Sequence, residues 1–341
     1  MGRKLVSIRT IDEVKPIEGA DRIEACRVGG WWVVGKKGEY KVGDKAIYCE
    51  IDSWIPHELA PFLSKNREPR EYGGIRGERL STVKLRGQIS QGLLLPLSVL
   101  RDYAVPDWAE GRDLSAFLGV IKWEPPIPAV LSGEARGVFP NNISRTHQER
   151  VQNLGDGDHV GWHLVTEKLD GASMTAYLHD GEFGVCSRNV NLREDSSNTY
   201  WKVARDLYLE NVLNRLCETT FSSEGYAIQG ELVGEGIQGN PYGIKGHDFY
   251  VFDIWDIKKQ AYIPFNVVMF LLQGTGLKNV PVVGKRFLDR VNSQEILKDV
   301  DGLKSVVNPK VLAEGVVYKS LERGNKSFKA ISNEWLLRGR R

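Results

Sequence analysis

The chain has 341 residues, 41% hydrophobic and 26% charged, a length suited to two domains and a balance that can bury real cores. Its net charge of +2 gives no ground for nucleic-acid binding by overall basicity, although a local patch remains open. The longest apolar run, Val267–Leu272, is too short for a bilayer, no signal peptide is visible from Met1 onward, and Cys26, Cys49, Cys186 and Cys217 form no CxxC pair. A transmembrane protein, a zinc ribbon and a disulfide framework are therefore not expected, and a reducing, cytoplasmic setting is.

The first 120 or so residues read as short strands. Ala25–Val28, Trp31–Val34 and Ala46–Cys49 are β-rich runs parted by Gly29-Gly30 and Gly43-Asp44. Leu80–Arg86 alternates apolar and polar residues as a half-buried strand would, and Gly92–Pro96 follows as another apolar strand. This pattern predicts an OB-like β-barrel over 1–120, a fold that often handles nucleic acid. Pro125, Pro126, Pro128 and Pro140, with Gly133 and Gly137, mark 121–140 as a linker. From 141 the pattern is mixed. Strands are predicted at 162–167, 173–178, 183–187, 226–233, 249–255 and 315–319. The spacing of Trp201, Ala204, Leu207, Tyr208 and Val212 predicts a helix over 198–216, and a second is predicted at 293–300. Irregularly interleaved strands and helices make the whole an α+β chain.

Chemistry first shows at Glu167-Lys168-Leu169-Asp170-Gly171, where an amine nucleophile and a carboxylate share a tight turn at a strand end. Alone, such a turn reads as a solvated surface feature. Others follow in order: Ser187-Arg188-Asn189, Gln229-Gly230-Glu231-Leu232-Val233, Tyr250-Val251-Phe252-Asp253-Ile254, Glu314-Gly315-Val316-Val317-Tyr318-Lys319 and Lys326-Ser327-Phe328-Lys329. A lysine amine is protonated at neutral pH and needs its site to make it nucleophilic, a task for a divalent cation and for the cations Lys326 and Lys329. Asp170, Glu231 and Glu314 could supply oxygen ligands to such a cation, directly or through its water.

This series resembles the covalent nucleotidyltransferase superfamily of polynucleotide ligases and RNA capping enzymes, over roughly residues 141–335. The resemblance implies that Lys168 attacks the α-phosphate of ATP, with Mg²⁺ or Mn²⁺ as metal. It implies ribose contact or metal binding for Glu231, base stacking for Phe252, a phosphate-end or ribose contact for Arg188, and phosphate binding for Lys329. Glu167 reads either as an adenine contact or as a solvated strand end. The family often has KxK where this chain has Lys326 and Lys329 three apart, so Lys319 is a substitute for Lys326. Arg145-Thr146-His147-Gln148-Glu149-Arg150 looks like the segment before the nucleophile in some RNA ligases, which makes Arg145 and Arg150 triphosphate candidates; His147, standing where an acidic residue is expected, is assigned no catalytic role.

Only 12 residues follow Lys329, so an OB domain behind the catalytic domain is not expected. A barrel in front, followed by an adenylyltransferase domain over 141–341, resembles the RNA ligase 5 family. That implies ATP-dependent sealing of 3′-OH/5′-phosphate nicks in duplexes with RNA on the 3′-OH strand, through lysyl-AMP and RNA-adenylate, by a monomer. Between Lys65 and Arg86 stand seven basic and three acidic residues, with Tyr72-Gly73-Gly74 among them, which predicts a mobile basic loop for backbone contact. Two other readings stay open: a GTP-using capping-type nucleotidyltransferase, and a non-catalytic RNA-binding protein on a degenerate ligase domain.

Overall fold

In the computed structural model residues 3–65, 67–103, 105, 107–220, 224–322 and 326–338 are described. The chain divides into two compact units, Met1–Pro126 with Leu336–Arg341, and Ile127–Trp335. Among the described residues no helix is long and apolar enough to cross a membrane.

The first unit is built from short antiparallel strands. Lys45–Cys49 pairs with both Val6–Thr10 and Leu93–Pro96. Glu13–Pro16, Ile23–Val28 and Trp31–Lys36 form a meander, and Ser53–Pro56 lies between Ile121–Lys122 and Ile75–Arg79. Alternating apolar side chains explain the arrangement. Val6, Ile8, Ile47, Ile55 and Leu95 enter one core cluster, while Cys26, Val28, Trp31, Val33 and Tyr48 enter another.

Three expectations are corrected here. Leu80–Arg86 is not one half-buried strand: the ladder breaks at 80–82, where the backbone of Leu80 bonds Ser53 and Asp52, and Val83–Leu85 then pairs with Gln88–Ser90 as a separate hairpin. Val83, Lys84 and Leu85 are all exposed, so that alternation marks no buried face. The stretch from Arg70 is not a loose loop either. Arg70–Tyr72 and Ile75–Arg79 form a hairpin around Gly73 (φ +58°) and Gly74 (φ +76°), backbone angles that favour glycine. Its arginines are paired, Arg70 with Glu78, Arg76 with Glu68 and Arg79 with Asp52, each at 2.7 Å, and Arg79 also lies 3.6 Å above the Trp123 ring. Finally, 121–140 is structured. Ile121–Lys122 extends a sheet of the first unit, Leu131 is buried in the core of the second, and Ala135–Val138 pairs with Val190–Leu192. The prolines turn the chain, but Leu131 and Phe139 are buried and the Ala135–Val138 backbone is paired, so the segment cannot act as a free linker.

The second unit holds two sheets. The larger runs Ala135–Val138, Val190–Leu192, Glu182–Cys186, Ala172–His179, Gly225–Gly234, His247–Asp256 and Ala261–Tyr262, with Lys278–Asn279 pairing beside His247–Asp256. The five-stranded sheet runs Glu149–Arg150, Ser327–Ile331, Gly315–Ser320, Gly161–Lys168 and Val282–Leu288. The helix expected over 198–216 is two helices, Thr199–Asp206 and Leu209–Thr220. Tyr208 between them has φ +52°, which ends the first helix and lets both Val203 and Leu213 reach the same core. Helix Ser293–Val300 starts where expected, with the Asn292 side chain accepting from Glu295 N–H at 3.3 Å.

Candidate active site

Lys168 is the last residue of Gly161–Lys168, paired in register with Gly315 of the neighbouring strand. Val165, Val316, Tyr318, Phe328 and Ala330 lie in one apolar cluster on one face of this sheet. Alternation therefore turns Lys168, Lys319 and Lys329 to the other face, so three lysines from three adjacent strands share it. The Lys168 ammonium donates to Glu314 Oε2 at 2.6 Å. Glu314 is buried, and it stands just before the strand that pairs with Lys168, so strand pairing brings the two together across 146 residues of sequence.

Glu231 reaches the same place from the larger sheet. Gly171 N–H donates to its Oε1 at 3.1 Å. A Cβ on Gly171 would lie 2.4 Å from Leu232 O and 2.9 Å from Glu231 Cγ, so the turn after the lysine needs a glycine to let the strands approach. Burial pushes the Glu231 carboxyl up to about 7; Lys168 pulls against this, Glu314 and Asp170 add to it, and Arg188 opposes it. Lys168, Asp170, Arg188, Glu231 and Glu314 thus form one electrostatic neighbourhood. Asp170 is held from behind by its N–H donating to the Tyr242 hydroxyl at 2.6 Å.

The other expected residues are spread around this centre. Phe252 is half-buried on the His247–Asp256 strand, and its carbonyl accepts from Lys319. Glu167 is no solvated strand end: it is 1% exposed, its Oε2 accepts from Val306 N–H at 2.8 Å, and its Oε1 has no hydrogen-bond partner among the described residues. Burial raises its pKa. Arg145 is exposed and donates to Asn189 Oδ1, beside Arg188. Arg150 is buried on the two-residue strand that pairs in register with Lys329. Lys326 is exposed and lines a cavity of about 260 Å³ with Thr146, His147, His159, Asp253 and Tyr262.

Two expectations change. Lys319 cannot stand in for Lys326: it is 5% exposed, 2.6 Å from Asp253 Oδ1 and 2.7 Å from Phe252 O. Its charge is neutralised inside the protein. The carboxylates Asp170, Glu231 and Glu314 also do not make a ready metal cage; among the described residues no three acidic, histidine or cysteine side chains converge for one. Glu314 answers Lys168 and Glu231 answers Gly171, so these oxygens already have protein donors. Their charge and hard oxygen chemistry suit a divalent cation held through its water. A polar network was not foreseen. Thr146 donates to Gln229 Oε1 at 2.6 Å, and Gln229 Nε2 and the Tyr262 hydroxyl both donate to Ser144 O. Thr146 and Gln229 stood inside quoted motifs, but neither type signals a buried network; Tyr242, alone in a glycine-rich stretch, gave no periodic signal.

Residues 163–331 match the family model described as RNA ligase, and residues 5–97 match an OB-fold domain model. A lysine-to-alanine mutant of an RNA ligase from Naegleria gruberi, solved with ATP and Mn, is 44% identical over 98% of each chain, with a TM-score of 0.88. The chain belongs to the RNA ligase family. A glutamate-to-alanine mutant of the Naegleria ligase with AMP and Mn superposes with a TM-score of 0.90, and that ligase with PPi with 0.89, at the same identity and coverage. Among curated proteins no match is found. For this RNA ligase family member, the order of an OB-fold module before the catalytic unit, expected from the strand pattern, is what the family models describe.

Proposed function

We propose that this chain is an ATP-dependent RNA ligase that seals 3′-OH/5′-phosphate nicks in duplexes with RNA on the 3′-OH strand. The observation that carries the reading is the Lys168–Glu314 pair at 2.6 Å, with Glu231 beside it, in a chain 44% identical to a ligase solved with ATP and Mn. Glu314 Oε2 is the atom best situated to take the lysine proton. The freed Nζ attacks the α-phosphorus of ATP; the bond to the bridging oxygen breaks, and pyrophosphate leaves. A 5′-phosphate oxygen of RNA then attacks the same phosphorus, which releases Lys168 and forms RNA-adenylate. The 3′-OH attacks the 5′-phosphate last, and AMP leaves.

The unpartnered Glu167 Oε1 suits the adenine amino group, and Phe252 a stacked base. Glu231 suits a ribose hydroxyl, and Arg188, Lys326, Lys329, Arg145 and Arg150 suit phosphates. A divalent cation, Mg²⁺ or Mn²⁺, when bound supplies charge neutralisation on the phosphate oxygens. Asp170, Glu231 and Glu314 would hold it, chiefly through its water.

Incubation with ATP and metal should add the mass of one AMP, mapped to Lys168, and Lys168→Ala should lose the adduct. An adduct in Lys168→Ala, or transfer from GTP but not ATP, would overturn the reading.

A further inference from the structure

The positive charge expected along 65–86 is unevenly available. Arg70, Arg76 and Arg79 each have a carboxylate at 2.7 Å. Lys84 and Arg86 have no ion-pair partner among the described residues, and no acidic residue occurs between Arg79 and Arg101. Both sit on the Val83–Leu85 and Gln88–Ser90 hairpin, whose tip is Arg86 (φ +48°) and Gly87 (φ +82°). That turn projects Arg86 at the end of the hairpin. Val83 and Leu85, each 42% exposed, line the face of this strand opposite Lys84 with apolar surface that this unit leaves uncovered. The hairpin is anchored at its base: Ser90 Oγ accepts from Val34 N–H at 3.0 Å, and Gln91 N–H donates to Trp32 O at 2.8 Å. Trp32 itself carries Lys15 3.9 Å over its ring. An anchored ribbon with an unneutralised basic tip, exposed aliphatic side chains and a lysine-capped tryptophan beside it has the chemistry of a nucleic-acid reader.

We propose that this hairpin, residues 83–90, is the element of the first unit that grips the duplex. Lys84 and Arg86 contact phosphates, and Val83 and Leu85 pack on the sugar and base edges of a groove. The paired arginines of 70–79 instead hold the neighbouring hairpin together. This rests on the reading that the substrate is a nicked RNA duplex, and it adds which residues hold it.

The test is binding of the full-length protein to a labelled nicked RNA duplex across a salt series, with formation of the AMP adduct on Lys168 measured in parallel. Lys84→Ala with Arg86→Ala should lower the slope of log affinity against log salt by about 2, close to 0.9 per lost phosphate contact, and weaken binding at 0.1 M salt by about tenfold or more. Lys84→Arg with Arg86→Lys should restore both. Val83→Ser with Leu85→Ser should weaken binding with the slope unchanged. Glu68→Gln with Arg76→Gln, which removes a pair without net charge, should leave the slope as it is. The adduct should form equally in all. An unchanged slope in the double alanine variant overturns the proposal, as does a self-association that the serine pair abolishes while duplex binding stays intact. Absence of the adduct from the unaltered protein would instead count against the ligase reading.

Discussion

At the scale of single residues, burial decides which ionisable groups can change charge. His163 is fully buried, with Nδ1 3.0 Å from Gly161 O and its ring edge-on to Phe328 at 5.9 Å. Burial lowers its pKa below 6.5, against the opposing pull of the Gly161 carbonyl and Glu322. The neutral ring is therefore favoured in the folded protein. The stability it contributes is complete above 6.5 and is lost as the pH falls through the lowered folded value. His163→Phe keeps an aromatic ring in the cluster and removes the titration. Its melting temperature should hold up better than that of the unaltered protein between pH 6.5 and 5; parallel melting curves across that range would refute the assignment. Glu231 departs in the other sense, held near neutrality by its burial and its acidic neighbours.

Between elements, the face that carries Lys168 depends on how two sheets are tied. Lys319 lies on Gly315–Ser320, and its partners Phe252 O and Asp253 Oδ1 lie on His247–Asp256. This one ammonium therefore bridges the sheet that carries Lys168 to the strand that carries Phe252. Asp253 Oδ2 adds a 3.3 Å contact with Thr146, drawing in the segment before the Gly161–Lys168 strand. Lys319→Ala should leave Asp253 buried without its main counter-charge and cost about 3–5 kcal/mol, the range for breaking one side of a buried pair. Denaturant unfolding of the variant measures this. A loss under about 1 kcal/mol, the ordinary value for an exposed pair, would show that the bridge does not hold the sheets.

For the molecule as a whole, the boundary between the units falls between Pro126 and Ile127, inside the 121–140 segment that the prolines suggested as a tether. Leu131 and the Ala135–Val138 strand belong to the body of the catalytic unit. A fragment beginning at 127 should keep them and still form the AMP adduct. One beginning at 141 should lose an edge strand and a buried leucine, and melt several degrees lower, since removing one core leucine side chain alone costs about 2–5 kcal/mol. Equal melting temperatures for the two fragments would refute this account of 127–140. Both fragments lack the basic hairpin and should seal nicks poorly at moderate salt.

Much of this was legible in the linear chain. β-rich apolar runs located strands such as Ile23–Val28, Trp31–Lys36, Ala172–His179 and Gly225–Gly234, and the order of strands and helices supported an α+β assignment with an OB-fold module in front. Six motifs in one order pointed to Lys168, Glu231 and Glu314, since their chemistry requires those residue types. Other features depended on partners far away in sequence. Nothing near Lys319 shows that Asp253, 66 residues earlier, neutralises it. The arginines of 70–79 read as free charge until their carboxylates folded against them, and Val83–Leu85 alternates like a buried strand although neither face is covered. Local pattern specifies what backbone a segment can adopt. Which charges are cancelled, which faces are covered and which carboxylates share a site are set by long-range packing, and only the tertiary structure decided them.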